Sequence, residues 1–550
     1  MVFAVKAGWF STLIATGMSL FLVFSGGAVH GQTPVLPPPP SEFTNDLPGT
    51  VGVYVREFEF TGNTVFSRDR LAEVIRSYAQ RRVTSAELEQ ARRDLTLHYI
   101  QHGYVNSGAI LEDQSVSNGI ITFTVVEGRL SEIALEGNRR LRAKMIRQRL
   151  QLHAGPPLNL NTLQEGLLIL KNNPNVQRLN AELMPSGQPG RALLDVKIRE
   201  ANPWHLGVEA RNDRPPSVGA ELLELAASHS NLSGHSDELA FRYGIAHRTH
   251  DGAEFSELDD WGISYTIPVT SRETTVRVYY DRNDFTVIEE PFADLGINSE
   301  SAAYGIAVRH PLLRSIRREF ALGLIAERRE SETFLLGQPF SFRAGDANAQ
   351  SHETVLRFFQ EWVLREQAQV LALRSTVSWG VDVLSPTRGR EPNGLFVAWL
   401  GQAQYVRRLG ATQNQIIWNT SVQWASEPLL SLEQFSLGGA NTVRGYRENQ
   451  IIRDMGLLSS VELRLPLVES ATGAPVFEIA PFFDFGMGWN SRGSTRQPSD
   501  LSSAGLGVIY HPHRKISARV YWGYGLRKFD QNSNDLQDYG IHFKLTFSLF

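Results

Sequence analysis

Two short segments near the C-terminus carry the residues best placed to do chemistry. The first reads Val443-Arg444-Gly445-Tyr446 and follows Gly438-Gly439. Because glycines adopt backbone angles that other residues resist, this segment is predicted to form a compact loop that holds Arg444 in a fixed place. The second reads Phe482-Phe483-Asp484-Phe485-Gly486, an aromatic strand with a single acid. A lone arginine in a hairpin loop is usually just solvated, so its interpretation depends on the surrounding segments.

Catalytic and metal-binding motifs are not evident elsewhere in the sequence. Asp484-Phe485-Gly486 spells a kinase tripeptide, but no glycine-rich loop, strand lysine or H-R-D motif accompanies it. The histidine pairs lack further ligands at metal-site spacing and are interpreted as solvated loop residues; they are His247 with His250 and His511 with His513. The sequence contains no Walker loop, and because it has no cysteine it excludes thiolate chemistry and disulfides. We therefore expect neither an enzyme nor a bound cofactor or metal.

Length and composition favour several domains and a membrane barrel. A chain of 550 residues exceeds one compact core, so two or three domains are expected. Its 42% hydrophobic residues and net charge of −4 look soluble, but a membrane barrel alternates lipid-facing and lumen-facing residues and averages to such a composition. Without a basic excess, nucleic acid is not an expected partner.

The N-terminus has the pattern of an export signal. Lys6 precedes an apolar run from Leu13 to Phe24 and small residues up to Gly31, so residues 1–31 are predicted to be a signal peptide cleaved after Gly31. The alternative, a membrane anchor, would need about 20 apolar residues. Residues 32–50 contain four consecutive prolines and are predicted to be an extended tether.

Two α/β modules follow, with the order strand, helix, helix, strand, strand. In residues 51–127 the pattern predicts a strand from Val53 to Phe60, a helix capped by Ser67, a second helix with a Thr84–Glu87 capping box, and strands over 105–111 and 120–126. The order returns about 75 residues later in residues 128–202. There Gly137-Asn138 matches Gly62-Asn63, Asn161 is the predicted cap of the second helix, and strands are predicted over 176–184 and 192–198.

Residues 203–550 are predicted to form a membrane barrel. Alternating segments run to the end, as in the last strand, where Ile541, Phe543, Leu545, Phe547 and Leu549 share one face. At about 10 residues per tilted strand, sixteen strands would fit this length. Tyr521, Trp522 and Tyr524 are candidates for an aromatic girdle, and the polar segments 385–393 and 490–500 are predicted to be extracellular loops.

The export signal, the two modules, and a barrel with V-R-G-Y followed by F-x-D-x-G together resemble the two-partner secretion transporters of the outer membrane. These are the ShlB/FhaC/HecB haemolysin activation and secretion proteins, within the BamA-like superfamily. The resemblance implies two periplasmic POTRA domains of β-α-α-β-β order followed by a transmembrane antiparallel β-barrel of sixteen strands. It implies that a loop at about residues 433–456 folds into the barrel.

The resemblance also assigns the two motifs. It places at the loop tip Val443, Arg444, Gly445 and Tyr446, and on an inward-facing wall strand Phe482, Asp484 and Gly486. It implies that Arg444 pairs with Asp484, and a bidentate carboxylate would offset the hydration that a guanidinium loses inside a barrel. No helix that could plug the barrel is visible before Val51, so the loop alone is expected to gate the pore. Phe550 lies one residue out of step with the apolar face of the last strand.

The implied function is export of an unfolded exoprotein, a haemolysin or adhesin, through the barrel to the cell surface without ATP. Its implied partners are that client, outer-membrane lipid, and the barrel-assembly machinery for its own insertion. Two alternatives remain open: an insertase for barrel proteins, and a passive porin or uptake receptor. Two modules, fewer than an insertase typically has, point to secretion, and simple diffusion needs no docking module.

Overall fold

The described chain forms two compact units, one ending at Ala201 and the other beginning at Asn202. The computed structural model describes residues 52–116, 118–248, 254–255, 260–289, 295–341, 349–388, 391–410, 412–529 and 535–549. The predicted signal peptide, the tether and Phe550 lie outside these ranges. None of the helices within them has the length and apolar character needed to cross a bilayer.

The first module keeps the predicted order and adds a short strand pair. Its elements are β1 Val53–Val55, β2 Glu57–Thr61, α1 Arg68–Val74, β3 Arg81–Val83, α2 Ser85–Gln101, β4 Gly108–Ile110 and β5 Ile120–Val126. The sheet order is β2-β5-β4, and β1 pairs with β3. The predicted strand from Val53 to Phe60 is wrong in one respect: it divides at Arg56, whose N–H bonds to the carbonyl of Gly119. The predicted strand over 105–111 shortens to β4, because a turn closes from Tyr104 to Ser107.

Both predicted helix caps of the first module are present. The Ser67 hydroxyl accepts from the N–H of Arg70, and the Thr84 hydroxyl accepts from the N–H of Glu87. Glu87 accepts in return from the N–H of Thr84, which completes the capping box. That backbone bond, with a bond from Arg81, lowers the pKa of Glu87 to about 2.

The second module repeats the arrangement. Its elements are β6 Arg129–Glu136, α3 Ala143–Gln151, α4 Leu160–Lys171, β7 Val176–Pro185 and β8 Arg191–Glu200, with sheet order β6-β8-β7. The predicted cap at Asn161 is wrong. Asn159 caps α4 instead, because its side-chain oxygen accepts from the N–H of Asn161 and so starts the helix two residues earlier. Its amide nitrogen also donates to the carbonyl of His102 in the first module.

The Gly-Asn turn of each module explains why the repeat can be recognised from the sequence. Gly62 has φ +77°, and a Cβ there would lie 2.4 Å from the Val125 carbonyl oxygen. Gly137 has φ +83°, and a Cβ there would lie 2.1 Å from the Ile198 carbonyl oxygen. Each turn passes so close to the last strand of its module that only glycine fits.

A partly buried carboxylate at the end of the last strand of each module closes the same turn. Glu127 accepts from the N–H groups of Thr64 and Val65 at 2.7 and 2.8 Å. Glu200 accepts from the N–H groups of Arg139 and Leu141, both at 2.8 Å. Burial alone would raise the pKa of both acids, but the hydrogen bonds outweigh it and lower the pKa of each. Neither acid was predicted from the sequence to have this role.

We expect Glu127→Gln to lower the unfolding free energy of residues 52–201 at pH 7 by about 1–3 kcal/mol, because bonds to a charged acceptor are lost. The pKa of Glu127 is depressed in the folded state, so its contribution is present above the unfolded value of about 4.3 and is lost as the pH falls through the folded value. The difference between variant and wild type should therefore shrink on acidification from pH 7 to pH 3. Urea unfolding followed by circular dichroism measures it.

The matched control is Glu59→Gln on the exposed face of β2. It should leave the unfolding free energy within about 0.5 kcal/mol of wild type. Equal losses in both variants, or a loss at Glu127 that does not depend on pH, would contradict the role given to this carboxylate.

The second unit is a closed antiparallel barrel of sixteen strands over the described residues, so the predicted fold class is confirmed. The first eight wall strands are β9 Trp204–Arg211, β10 Leu222–His229, β11 Glu238–Arg248, β12 Asp260–Pro268, β13 Thr275–Thr286, β14 Asn298–Arg314, β15 Arg318–Leu335 and β16 Gln350–Arg365. The others are β17 Gln369–Val381, β18 Val397–Arg408, β19 Gln415–Ala425, β22 Met455–Glu469, β23 Pro475–Trp489, β24 Asp500–His513, β25 Ile516–Gly525 and β26 Ile541–Ser548. A hairpin of β20 Phe435–Leu437 and β21 Ile451–Arg453 lies in the connection between β19 and β22.

The connections differ at the two ends of the barrel. At the end where β9 begins, the connections are short, such as residues 315–317 and 514–515. At the opposite end they are long, and residues 426–454 form the longest. Of the segments 385–393 and 490–500, predicted to be loops, the described residues 385–388, 391–393 and 490–499 lie in connections at this long-loop end, whereas Asp500 begins β24. Of the four histidines interpreted above as loop residues, His511 and His513 lie instead in the wall strand β24 and His247 lies in β11, whereas His250 lies outside the described residues.

Neighbouring residues of each wall strand face opposite sides. In β23 the ring of Phe483 points outward and is 49% exposed, whereas Asp484 is 0% exposed and faces the interior. Trp522 and Tyr524 of β25 also point outward, as expected of an aromatic girdle. The wall therefore presents an apolar outer surface and a polar interior, which is the arrangement that holds the site described next.

Candidate functional site

The connection between β19 and β22, residues 426–454, is folded into the barrel. Its β20–β21 hairpin places Leu437 and Val443 in a small apolar core with Leu458 and Leu501 of the wall. Gly486 lies beneath this core, where a Cβ would come within 2.7 Å of Leu437 and 2.9 Å of Val443. The glycine of the second motif thus leaves room for the residues of the loop.

Arg444 and Asp484 are in direct contact. The Arg444 Nε donates to Asp484 Oδ2 at 2.8 Å, and its Nη2 donates to Oδ1 at 2.9 Å. The backbone N–H of Arg444 adds a third bond to Oδ2 at 3.0 Å. Asp484 is fully buried and Arg444 is 6% exposed. Such a bidentate pair fixes both the position and the orientation of the guanidinium.

A second acid completes this group, which we name the tip cluster: Arg444, Asp484, Glu462 and Ser460. Glu462 accepts from Arg444 Nη1 at 2.5 Å. The Ser460 hydroxyl accepts from Arg444 Nη2 at 3.1 Å and donates to Asp484 at 2.6 Å. Glu462 also accepts from Arg464 at 2.8 Å, so this carboxylate is shared between two guanidinium groups.

Two aromatic rings enclose the guanidinium. The Cζ atom of Arg444 lies 3.6 Å from the ring centroid of Phe482 and 4.7 Å from that of Tyr521. Cation–π contacts of this kind are strongest when the cation is desolvated. The prediction that Tyr521 belongs to the outer girdle is therefore wrong, because Tyr521 and Trp522 are strand neighbours and only one of them can face outward.

The rest of the tip contacts other wall strands. The Tyr446 hydroxyl donates to the carbonyl of Ser502 at 2.8 Å and accepts from the N–H of Arg527 at 2.9 Å. The N–H of Gly445 donates to His542 Nε2 at 3.2 Å, on the last strand. Each residue of V-R-G-Y therefore has a wall contact of its own.

Beyond the motif, the loop meets the connection that precedes β26. Arg447 forms ion pairs with Asp538 and Glu289, and the N–H of Glu448 donates to Gln537. Gln537 in turn donates to the carbonyls of Asn212 and Arg214, so it joins the loop to the first connection of the barrel. These contacts carry no local sequence signal, since they join segments far apart in the chain.

The structure brings together all seven residues assigned from the motifs, and it adds Glu462, Ser460 and Tyr521. The missed residues lie on strand faces that alternation reveals, but their register against Asp484 is set by strand pairing, as in Ser460 opposite Asp484. Within the described ranges, no group of three histidine, cysteine or acidic side chains could hold a metal. The arrangement is suited to holding a loop in place.

Two family profiles match the chain. The profile of haemolysin secretion/activation protein ShlB/FhaC/HecB matches residues 190–510. The profile of the POTRA domain, ShlB-type, matches residues 53–128.

Individual relatives match most of the chain. The outer membrane transporter CdiB of Dickeya dadantii (strain 3937) is 25% identical over 443 residues, which are 76% of this chain and 74% of that protein. The heme/hemopexin transporter protein HuxB of Haemophilus influenzae (strain Rd) is 21% identical over 449 residues, 76% of this chain and 73% of that protein. The solved structure of CdiB from Escherichia coli has a TM-score of 0.69 at 19% identity and covers 100% of both chains, so the two share a fold.

Proposed function

This chain belongs to the haemolysin secretion/activation protein family ShlB/FhaC/HecB, and on that premise we propose that it carries one unfolded, β-rich exoprotein from the periplasm to the cell surface. It is an outer-membrane transporter with a periplasmic α/β portion and a sixteen-stranded barrel. The observation that carries the proposal is the family profile over residues 190–510, which spans most of the barrel and the loop inside it. We take the client to be a large haemolysin-like or adhesin-like protein.

Docking of the client is assigned to the two modules, residues 51–127 and 128–202. In the second module, β7 forms one edge of the β6-β8-β7 sheet and is ten residues long. An extended peptide can add to such an edge through main-chain hydrogen bonds, which are largely indifferent to side chains. This property suits an unfolded client, whereas rigid spacers would not need a long free edge.

The tip cluster is assigned the role of a latch that keeps the loop seated in the resting barrel. Arg444 is enclosed by two acids and two rings, so leaving this site would cost the guanidinium its partners. No nucleotide-binding motif supplies energy, so folding of the client outside the cell is proposed to make transport one-way. Outer-membrane lipid and the barrel-assembly machinery are proposed partners for the barrel's own insertion.

A deletion strain tests the function. Surface blotting should show that one large exoprotein disappears from the cell surface, and a plasmid carrying the full chain should restore it. Replacing the ten residues of β7 with an alternating Gly-Ser segment should lower surface exoprotein by about tenfold, because glycine disfavours the strand conformation and the ordered edge for strand addition is lost. The folded barrel should remain at wild-type level in the outer membrane.

Three outcomes would contradict the proposal. General loss of outer-membrane barrels on deletion would point to an insertase. Reduced solute uptake with an unchanged set of surface proteins would point to a porin. Normal export by the β7 replacement would remove the docking role from that edge.

A further inference from the structure

The first limb of the loop, residues 426–434 between β19 and β20, contributes to a second buried ion cluster that is separate from V-R-G-Y. Ser431–Glu433 form a single 3₁₀ turn, and Glu433 is fully buried. Its carboxylate accepts from both terminal nitrogens of Arg357, at 2.5 and 3.0 Å. Arg329 lies 3.0 Å from the same carboxylate. Glu433 belongs to neither motif, and no local pattern singles it out.

Wall residues complete this cluster. Glu327 of β15 lies 2.5 Å from Arg329 Nε and 3.1 Å from Arg357 Nη2, so it holds both guanidinium groups toward the lumen. Arg357 also donates to Ser378 at 2.8 Å. We name Glu433, Arg357, Arg329 and Glu327 the base cluster. Glu353, paired opposite Arg329 on β16, is a further buried acid that acts on Arg329. Arg357 contacts Glu433 and Glu327, so loss of Glu433 would leave this buried guanidinium with one of its two acid partners.

Backbone groups of the same turn are held as well. Arg329 Nη1 donates to the carbonyl of Leu432 at 2.7 Å. Gln423 of β19 donates to the carbonyl of Glu433 at 2.9 Å. The turn therefore has a fixed position against the wall, which a solvated surface acid would not impose.

The two clusters have opposite polarity and lie on different parts of the wall. In the tip cluster the loop supplies the cation and β22 and β23 supply the acids. In the base cluster the loop supplies the acid and β15 and β16 supply the cations. Three strands, β17 to β19, separate these wall patches. The loop is thus fixed at two points and extends across part of the lumen between them.

We propose that Glu433, bound by Arg357 and Arg329, is a second anchor of the loop, and that the resting pore stays closed only while both anchors hold. This inference deepens the proposed function, since it takes the loop as the element that closes the barrel. Release of one anchor leaves the loop attached at the other, and the freed limb can swing away from its wall patch. Glu433 is in this sense a positioning residue for the loop.

The test measures ion conductance of the purified full chain in planar bilayers, which requires no client. Glu433→Gln keeps the size of the side chain and removes its charge, so the mean conductance should rise about tenfold as the freed limb samples other positions. Glu433→Asp, which keeps the charge, should stay closer to wild type than Glu433→Gln. The swap Glu433→Arg with Arg357→Glu restores opposite charges and should return the conductance to within about threefold of wild type.

The matched control is Glu361→Gln. Glu361 is a buried wall acid whose bonds go to Arg309 and Arg374, and no loop residue is among its bonded partners. It breaks a buried ion pair of the same kind and should leave the conductance unchanged. Heat-modifiable migration on gels measures barrel assembly for every variant.

Several results would overturn the inference. These are an unchanged conductance in assembled Glu433→Gln, an equal rise in Glu361→Gln, or a swap variant that assembles and conducts like the single mutant. Failure of both Glu433→Gln and the swap to assemble would assign the cluster to wall stability instead. If the deletion strain keeps all of its surface exoproteins while the conductances follow expectation, the proposed function fails and the second anchor stands.

Discussion

Arg444→Ala and Asp484→Ala are each expected to lower export of the client about 10- to 100-fold while the barrel still assembles. Either substitution leaves a buried charge without its bidentate partner, a defect of about 3–5 kcal/mol when no other group compensates. Glu462 still faces Arg444 after loss of Asp484, which offsets part of that cost. Arg444→Lys should also be defective, because an ammonium cannot reproduce the paired contacts of the guanidinium.

The measurement is the surface exoprotein, normalised to folded barrel in the outer membrane. Arg492→Ala is the matched control: this arginine forms exposed ion pairs with Glu391 and Glu427 at the long-loop end and should leave export unchanged. Because the two partners form one unit, the double variant should be no worse than either single variant. Wild-type export by both single variants at normal barrel levels would refute the latch.

The two modules were predictable because their signals are local. A capping box can be recognised from Thr84 and Glu87 alone, which lie three residues apart. The glycine turns occupy equivalent positions in the two modules. The errors have the same origin. Asn159 and Asn161 are equally good caps by residue type, and the choice between them depends on packing against His102 of the neighbouring module. Local propensity does not contain that contact.

The site was predictable in part for a related reason. Arg444 and Asp484 could be identified because each lies in a short motif with a recognisable resemblance. Glu462, Tyr521 and Glu433 could not, since each is selected by strand register or by the path of the loop through the barrel. A single step of register reverses the face of every side chain in a strand. Alternation therefore identifies candidate inward residues without showing which of them meet.

Gly445→Ala is expected to prevent seating of the loop and to lower export about tenfold or more. Gly445 has φ +90°, and a Cβ there would lie 2.7 Å from the backbone carbonyl carbon and oxygen of Gly523 in β25. Backbone atoms of a paired strand cannot move aside as a flexible side chain can, so the tip must withdraw. Withdrawal would pull Arg444 from the tip cluster, and both defects should appear together as lost export and raised conductance.

Two further variants separate the causes of this effect. Gly473→Ala also introduces a side chain at positive φ, +76°, but in a short turn with nothing within 4 Å, so it carries the backbone strain of about 1 kcal/mol without the clash. It should export normally. Gly523→Ala produces the same collision from the wall side, where a Cβ would lie 2.7 Å from the Gly445 nitrogen, and it should resemble Gly445→Ala. If Gly473→Ala were as defective as Gly445→Ala, backbone strain would explain the loss; if Gly523→Ala exported normally, the close approach of loop and wall would not be what seats the tip.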